Sequence, residues 1–285
     1  MTEHAPVMAA ALAVVGSINL DLTVTTERLP TPGETLGGGV LRRQPGGKGA
    51  NQAVAGARLG GRVRMVGAVG NDGDGEALVA AMAAAGVDIS GILRVAEPTG
   101  TALINVDWAG ENQIVVCPGA NGVLDLEGVE FDAEEAVLCQ LEVDLEVVLE
   151  AARKTDGYFA LNAAPAMPLP AELLERCDLI MVNETEYALI PELATARLVA
   201  VTYGKDGAAI FAEGTKVAEV PGLSVPVANT IGAGDAFCAA LVLALRSGLN
   251  YTQALTTANA VGAAAVGDAA SQPFLEPLAT YQPQG

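Results

Sequence analysis

Short apolar runs that end in Gly, Ser or Asn alternate along this chain with longer segments of helical spacing. That alternation restricts the fold more than any other feature of the sequence. ALAVVGS (11–17), RVRMVGAVG (62–70), AVLCQLE (136–142), YFALNAAP (158–165), DLIMVNE (178–184) and LVAVTYG (198–204) read as buried strands. GKGANQAVAGARLG (47–60), EALVAAMAAAG (76–86), VDLEVVLEAARK (143–154), LPAELLER (169–176) and ETEYALI (184–190) read as helices. Strands that are apolar throughout are covered on both faces, and strands separated by helices pair in parallel. The expected fold class is therefore α/β, a three-layer α/β/α body around a mostly parallel central sheet. No repeat or low-complexity linker divides the 285 residues, so one domain over 1–285 is expected.

Two segments interrupt the rhythm. Residues 20–44 are β-prone with Pro and Gly turns, and residues 99–117 read as two strands around a turn at Ala109–Asn112. They form either a small separate sheet that closes over a ligand as a lid, or ordinary edge hairpins.

The charge balance excludes one set of partners. Net charge is −19, from 15 basic and 34 acidic residues. Nucleic acid and anionic membrane are not expected to bind, because both require a basic surface. Phosphate remains accessible, since backbone amides at a helix start bind it without net positive charge. The four cysteines, Cys117, Cys139, Cys177 and Cys238, are widely spaced and form no CxxC, which suits free thiols in a reducing cytoplasm. The single histidine, His4, lies near the N-terminus, so histidine acid–base chemistry and His-ligated zinc are not expected. MAAALAVV (8–15) is too short to span a bilayer, has no basic residue before it that would mark a signal peptide, and reads as the first strand; a cytoplasmic location is expected.

The chemistry concentrates in a few polar stretches. NTIGAGDAF (229–237) places Gly232, Ala233 and Gly234 before Asp235 and then an apolar helix, read here as Phe237–Leu245. Either the bare amides bind a phosphate while Asp235 takes a proton from an attacking hydroxyl, or the turn is an ordinary helix start with an acid cap. GSINLDL (16–22) puts Asn19 and Asp21 on one side of an extended segment, as hydroxyl partners or as an Asx turn. PGGKGANQA (45–53) brings Lys48 and Asn51 to a glycine-rich helix start, where the alternative is a solvated Lys48. Glu142 ends a strand as a hydroxyl acceptor or a cap. Asn183 and Glu186 in NETE either organise phosphate and water-bound Mg²⁺ or cap a helix. Thr202 and Gly204 in VTYGKDG either line a nucleotide or turn a hairpin.

Each stretch is weak by itself; their order is specific. GSINLD, PGETLGGG, GGKGANQA, VGNDGDG, GENQIVVCPGAN, QLE, NETE, VTYGKDG and GAGDAF together resemble the ribokinase family of PfkB-type carbohydrate kinases over nearly the whole chain. PGET, GEN and PGAN place the resemblance nearer the ribose-phosphorylating members than the adenosine, fructose or ketodeoxygluconate kinases. The resemblance implies ATP-dependent phosphorylation of the ribose 5-hydroxyl, on a three-layer body with a β-sheet lid shared in a homodimer. It implies Asp235 as general base and Gly232, Ala233 and Gly234 as anion hole. Asn19, Asp21, Gly47, Lys48, Gly49, Asn51 and Glu142 correspond to sugar-binding positions, with Asp235 itself beside the sugar. Asn183, Thr202, Gly204, Lys205, Gly207, Gly234 and Asn259 correspond to nucleotide-binding ones. Glu186 corresponds to a position that reaches Mg²⁺ through water, and Asn229, Ile231, Ala265, Asp268 and Ala270 to a monovalent-cation site, normally for K⁺.

Three departures qualify the resemblance. Asn229 stands where the family has an Asp, and in ASQPFLE (270–276) Phe274 stands where it has a Ser, which predicts a weak K⁺ site. The chain is also short over 186–199 and 122–138. Two alternatives keep the same sequence features: a kinase for another acceptor (deoxyribose, fructose, adenosine), and a catalytically silent sugar-binding homologue.

Overall fold

β1 (Ala11–Val15) shows how the body is layered. Its side chains alternate between two cores: Leu12 and Val14 enter one, Ala13 and Val15 the other. A strand buried on both faces must lie inside a sheet with helices above and below it. The computed structural model, which describes residues 10–283, has that architecture. His4 lies outside the described residues.

β1 pairs in parallel with β4 (Arg62–Gly70) on one side and β8 (Ala136–Gln140) on the other. β5 (Asp88–Val95) extends the sheet beyond β4; β9 (Phe159–Asn162), β10 (Leu179–Asn183) and β11 (Val199–Thr202) extend it beyond β8. All these strands are parallel. Two antiparallel strands, β12 (Gly207–Ala212) and β13 (Thr215–Pro221), complete the nine-stranded order β13-β12-β11-β10-β9-β8-β1-β4-β5.

α1 (Lys48–Arg58), α2 (Gly73–Ala84), α6 (Ala233–Arg246) and α7 (Tyr251–Val266) pack on one face; α3 (Leu145–Lys154), α4 (Ala171–Arg176) and α5 (Glu184–Leu189) pack on the other. α6 lies against α1 and α7 and is buried without interruption from Asp235 to Ala244. That enclosure accounts for FCAALVLAL, which is apolar around its whole circumference.

The two interrupting segments pair with each other. β2 (Asn19–Thr26) and β3 (Val40–Gly46) come from the first, β6 (Gly100–Asp107) and β7 (Asn112–Cys117) from the second. They form a separate four-stranded sheet in the order β3-β2-β6-β7, with β2 and β6 parallel and the outer pairs antiparallel.

Several boundaries differ from the sequence reading for local reasons. α2 begins at Gly73 because the Asp72 carboxylate accepts the Gly75 N–H (2.7 Å) and caps it. α3 begins at Leu145 behind the Asp144 cap. α6 begins at Ala233, four residues before the expected Phe237, so Asp235 lies inside its first turn.

Candidate active site

The carboxyl ends of the parallel strands face the small sheet, and the cleft between them collects most of the polar stretches. This is where an open α/β sheet binds ligands. A cavity of about 410 Å³ occupies the cleft. Asn19 and Asp21 enter it from β2, Gly47, Lys48 and Asn51 from the start of α1, and Glu142 from just beyond β8. Asn183, Glu186 and Thr202 reach it from the ends of β10 and β11 and the start of α5. Gly232, Gly234 and Asp235 close it at the start of α6.

A second cavity, about 670 Å³, adjoins the first through Thr202, Thr230, Gly234 and Phe237. Gly204, Lys205 and Gly207 line it from the β11–β12 turn, Asn259 from α7 and Ala233 from α6. Leu223, Val225 and Val227 add an apolar wall that the sequence reading did not assign. The VTYGKDG stretch is thus a hairpin turn and a cavity wall at once.

The α6 turn has no acid cap. Its N-cap is Gly232, at φ 80°, a conformation glycine adopts without strain; a Cβ there would lie 2.0 Å from the Ser271 carbonyl oxygen. Ala236 N–H is the donor that reaches the Gly232 carbonyl (2.9 Å), so the Gly234 and Asp235 amides precede the helical ladder. With the positive end of the helix dipole they make an anion-binding end to the cleft.

Asp235 is only 7% exposed. Its Oδ2 accepts an N–H of Asn51 (3.1 Å) and its Oδ1 an N–H of Gln52 (3.0 Å). Burial raises its pKa; Lys48 and the two amides act against burial, and Glu142 acts with it. The opposite end of the cleft is rich in carboxylates. Glu142 Oε2 accepts from Ser17 Oγ (2.6 Å) and the Lys48 N–H (3.0 Å). Burial, and then the charges of Glu142 and Asp235, push Asp21 up to about 7. Burial works against the Lys48 ammonium, but Asp235, Glu142 and Glu186 outweigh it and raise its pKa. Asn19 does not close an Asx turn: its Oδ1 accepts from Asn121 Nδ2 (2.7 Å), and Asn121 also accepts the Ile18 N–H (2.9 Å). Asn121 ends the PGAN stretch, and nothing adjacent to it in sequence signals this pairing.

Some sequence-derived positions lie elsewhere. Gly49 is buried behind the cleft, where its N–H donates to Ser17 Oγ (3.3 Å). Asn183 and Glu186 form a capping box on α5, each side chain accepting the other's backbone N–H at 2.8 Å. Both still line the cleft, and the second Glu186 oxygen is not part of the box. Mg²⁺ keeps most of its waters and needs one or two carboxylates beside substrate phosphates, so Glu186 fits that role. Among the described residues, no group of three or more His, Cys, Asp or Glu is arranged to hold a metal directly.

The five positions corresponding to a K⁺ site lie together near the start of α6 and the end of α7, and their two polar side chains, Asn229 and Asp268, are already paired. Asn229 Nδ2 donates to the Ala269 carbonyl (3.1 Å) and its Oδ1 accepts the Ile231 N–H (3.0 Å). The Asp268 carboxylate accepts from Ala270 and Phe274 N–H (2.9 Å each), and the Asp268 N–H donates to the Ala265 carbonyl (3.1 Å). Asn229 thus brings an amide donor where a carboxylate would bring charge, and a cation here would rest on backbone carbonyls alone.

The pfkB family carbohydrate kinase model matches residues 9–277. A ribokinase of Bacillus subtilis is 38% identical over 265 residues, covering 87% of this chain and 90% of its own. A Haemophilus influenzae ribokinase is 34% identical, covering 91% and 93%. Among solved structures, Thermotoga maritima ribokinase superposes with a TM-score of 0.86 at 31% identity, over 95% of this chain and 99% of its own. Arabidopsis thaliana ribokinase complexed with ribose and ATP also gives 0.86, at 29% identity over 96% and 98%.

Proposed function

This chain belongs to the pfkB family of carbohydrate kinases, and we propose that it transfers the terminal phosphoryl group of ATP to the 5-hydroxyl of D-ribose. One observation carries the reading: Asp235 lies where a carboxylate-lined cleft meets the free amides of a helix start. Carboxylates accept hydrogen bonds from a neutral polyol, and amide N–H groups donate them to an anion. An acid placed at their junction is placed for proton transfer between an alcohol and a phosphate.

In this mechanism Asn19, Asp21, Asn51 and Glu142 hold the sugar hydroxyls. Asp235 takes the proton of the attacking hydroxyl. The amides of Gly234 and Asp235 bear on the oxygens of the transferring group, where preorganised donors stabilise developing charge. The second cavity takes the nucleotide between the β11–β12 turn and α7. Mg²⁺, reached from Glu186 through water, would neutralise phosphate charge. The four-stranded sheet acts as the lid over the cleft and excludes water, so that phosphate passes to sugar and not to solvent. The compartment we propose is the cytoplasm; among the described residues no helix is long and apolar enough to cross a membrane.

ADP release measured with ribose, deoxyribose, fructose and adenosine at matched concentrations tests the assignment. Ribose is expected to give the highest kcat/KM. Ribose binding without ADP release would identify a silent homologue, and preference for adenosine would move the chain to the nucleoside kinases.

The paired cation positions lead to a second expectation. Turnover in K⁺ salts and in tetramethylammonium salts of equal ionic strength is expected to agree within about twofold, because the Asn229 amide already ties the two loops together. Asn229→Asp restores a carboxylate and is expected to create a K⁺ response in both turnover and melting temperature. A strong K⁺ requirement in the unaltered protein would overturn this.

The lid also exposes Val40, Leu41, Ile114, Val115 and Trp108, all more than half accessible. An apolar sheet of this kind suits isologous pairing with a second copy. Sedimentation is expected to give twice the chain mass. Ile114→Asp with Val115→Asp charges both faces of β7 and is expected to give monomers.

A further inference from the structure

The carboxylate of Asp235 is the centre of a chain of amides, and in its deeper arm neither Gln52 nor Gln140 lines the cleft. Gln52 is fully buried and does not line the cavity. Its Nε2 donates to Asp235 Oδ1 (3.0 Å) and to Asn162 Oδ1 (3.1 Å), and Asn162 does line the cleft. Its Oε1 accepts from Nε2 of Gln140, also fully buried, at 2.6 Å. The shallower arm is built the same way: Gln272 donates to Asn51 (3.3 Å), and Asn51 to Asp235 (3.1 Å). Along both arms the outer amide donates to the oxygen of the inner one, and the inner one donates to the carboxylate.

We propose that Gln52, held in its orientation by Gln140, is a positioning residue that fixes the aim and the protonation state of Asp235. The Asp235 carboxylate only accepts, so it draws the Gln52 nitrogen, and Gln140 holds that orientation by donating to the Gln52 oxygen at the other end of the amide.

The arrangement is costly to the fold. Gln140 Oε1 is buried with no hydrogen-bond partner. The backbone leaves room for it: a Cβ at Gly16 would lie 1.9 Å from that oxygen. An apolar residue at 140 would remove that orphaned acceptor but strand the Gln52 Oε1, whose donor is the Gln140 N–H.

Other charged groups also act on Asp235. Lys48 on α1 favours its ionised form, Glu142 beyond β8 opposes it, and Asp21 on β2 is coupled to both carboxylates. Glu186 on α5 faces Lys48, and the thiol of Cys238 lies one turn along α6. Asn51 and Gln52 donate hydrogen bonds to the carboxylate, so loss of Gln52 removes one of two that favour the anion.

The inference rests on the kinase reading in taking Asp235 as the base. The test is the pH dependence of kcat for Gln52→Leu and Gln140→Leu. For Gln52→Leu, kcat at neutral pH is expected to fall about 10- to 100-fold, its acid limb to move up by about one pH unit, and ribose KM to stay within about threefold. Gln140→Leu exchanges one orphaned acceptor for another, so its melting temperature is expected to change little while its acid limb moves the same way by less. A purely structural role predicts a lower melting temperature with an unmoved limb. Acid limbs unchanged in both folded variants would overturn the proposal; should Gln52→Leu not fold, Gln140→Leu decides alone. If no sugar is turned over, the kinase reading fails, and ¹³C titration of the Asp235 carboxyl in the ligand-free protein still decides the network. Its midpoint is expected to rise in Gln52→Leu, and an unmoved midpoint overturns the inference.

Discussion

Asp235→Asn is expected to lower kcat by about 10³-fold or more while ribose KM changes by less than about threefold. The split follows from where the carboxylate sits. Its two oxygens are held from behind by Asn51 and Gln52, and it faces the amides at the start of α6. A base acts on the attacking proton in the transition state, so its loss falls on turnover more than on ground-state binding. The substitution is nearly neutral for folding. It removes a buried charge, which stabilises, and turns one amide nitrogen toward another donor, which costs about 1–3 kcal/mol. ADP release and ribose calorimetry on the same preparation check both halves. Near-normal turnover in the variant would remove Asp235 as base.

Asp21→Asn is expected to act in opposite directions on stability and on binding. Asp21 is 8% exposed, and burial beside Glu142 and Asp235 lifts its pKa to about 7. An unfolded Asp loses its proton near pH 4. Between about pH 4 and 7 the native state therefore binds more protons than the unfolded chain, and stability falls as pH rises through that window. The stabilising term is complete below the lower value and lost above the upper one. The shift corresponds to a loss on the order of a few kcal/mol by neutral pH. Asn carries no charge, so the variant is expected to melt about 5 °C higher at pH 8 and to differ little at pH 4. Its ribose KM is expected to rise about 100-fold, since a buried carboxylate that accepts sugar hydroxyls makes charge-assisted bonds the amide cannot replace. Melting curves at the two pH values and a ribose titration check it. A variant less stable at pH 8, or one that binds ribose normally, would contradict the reading of Asp21 as a strained sugar acceptor.

Local alternatives were resolved by distant residues. The GAGD turn, read alone, suits an acid-capped helix start as well as a phosphate site. The structure gives the cap to Gly232 and places Asp235 in the first turn, facing Asn51 and Gln52 from 184 and 183 residues earlier in the chain. NETE was read as a phosphate site or a helix cap; it is a capping box whose residues also line the cleft. The two β-prone segments were visible as strands, but not their pairing of β2 with β6 in parallel. Gln52 stood next to Asn51 in GGKGANQA and went unassigned, because an amide in a small-residue helix carries no sign of what it meets.

The sequence by itself determined the elements, the α/β class and the order of the polar stretches, because periodicity, turn residues and caps act over a few positions. Tertiary structure decided which of those stretches share a cleft, how burial moves Asp21 and Asp235, and why Asn229 meets a carbonyl. Those are properties of distance and dielectric between residues far apart along the chain, and only folding sets them.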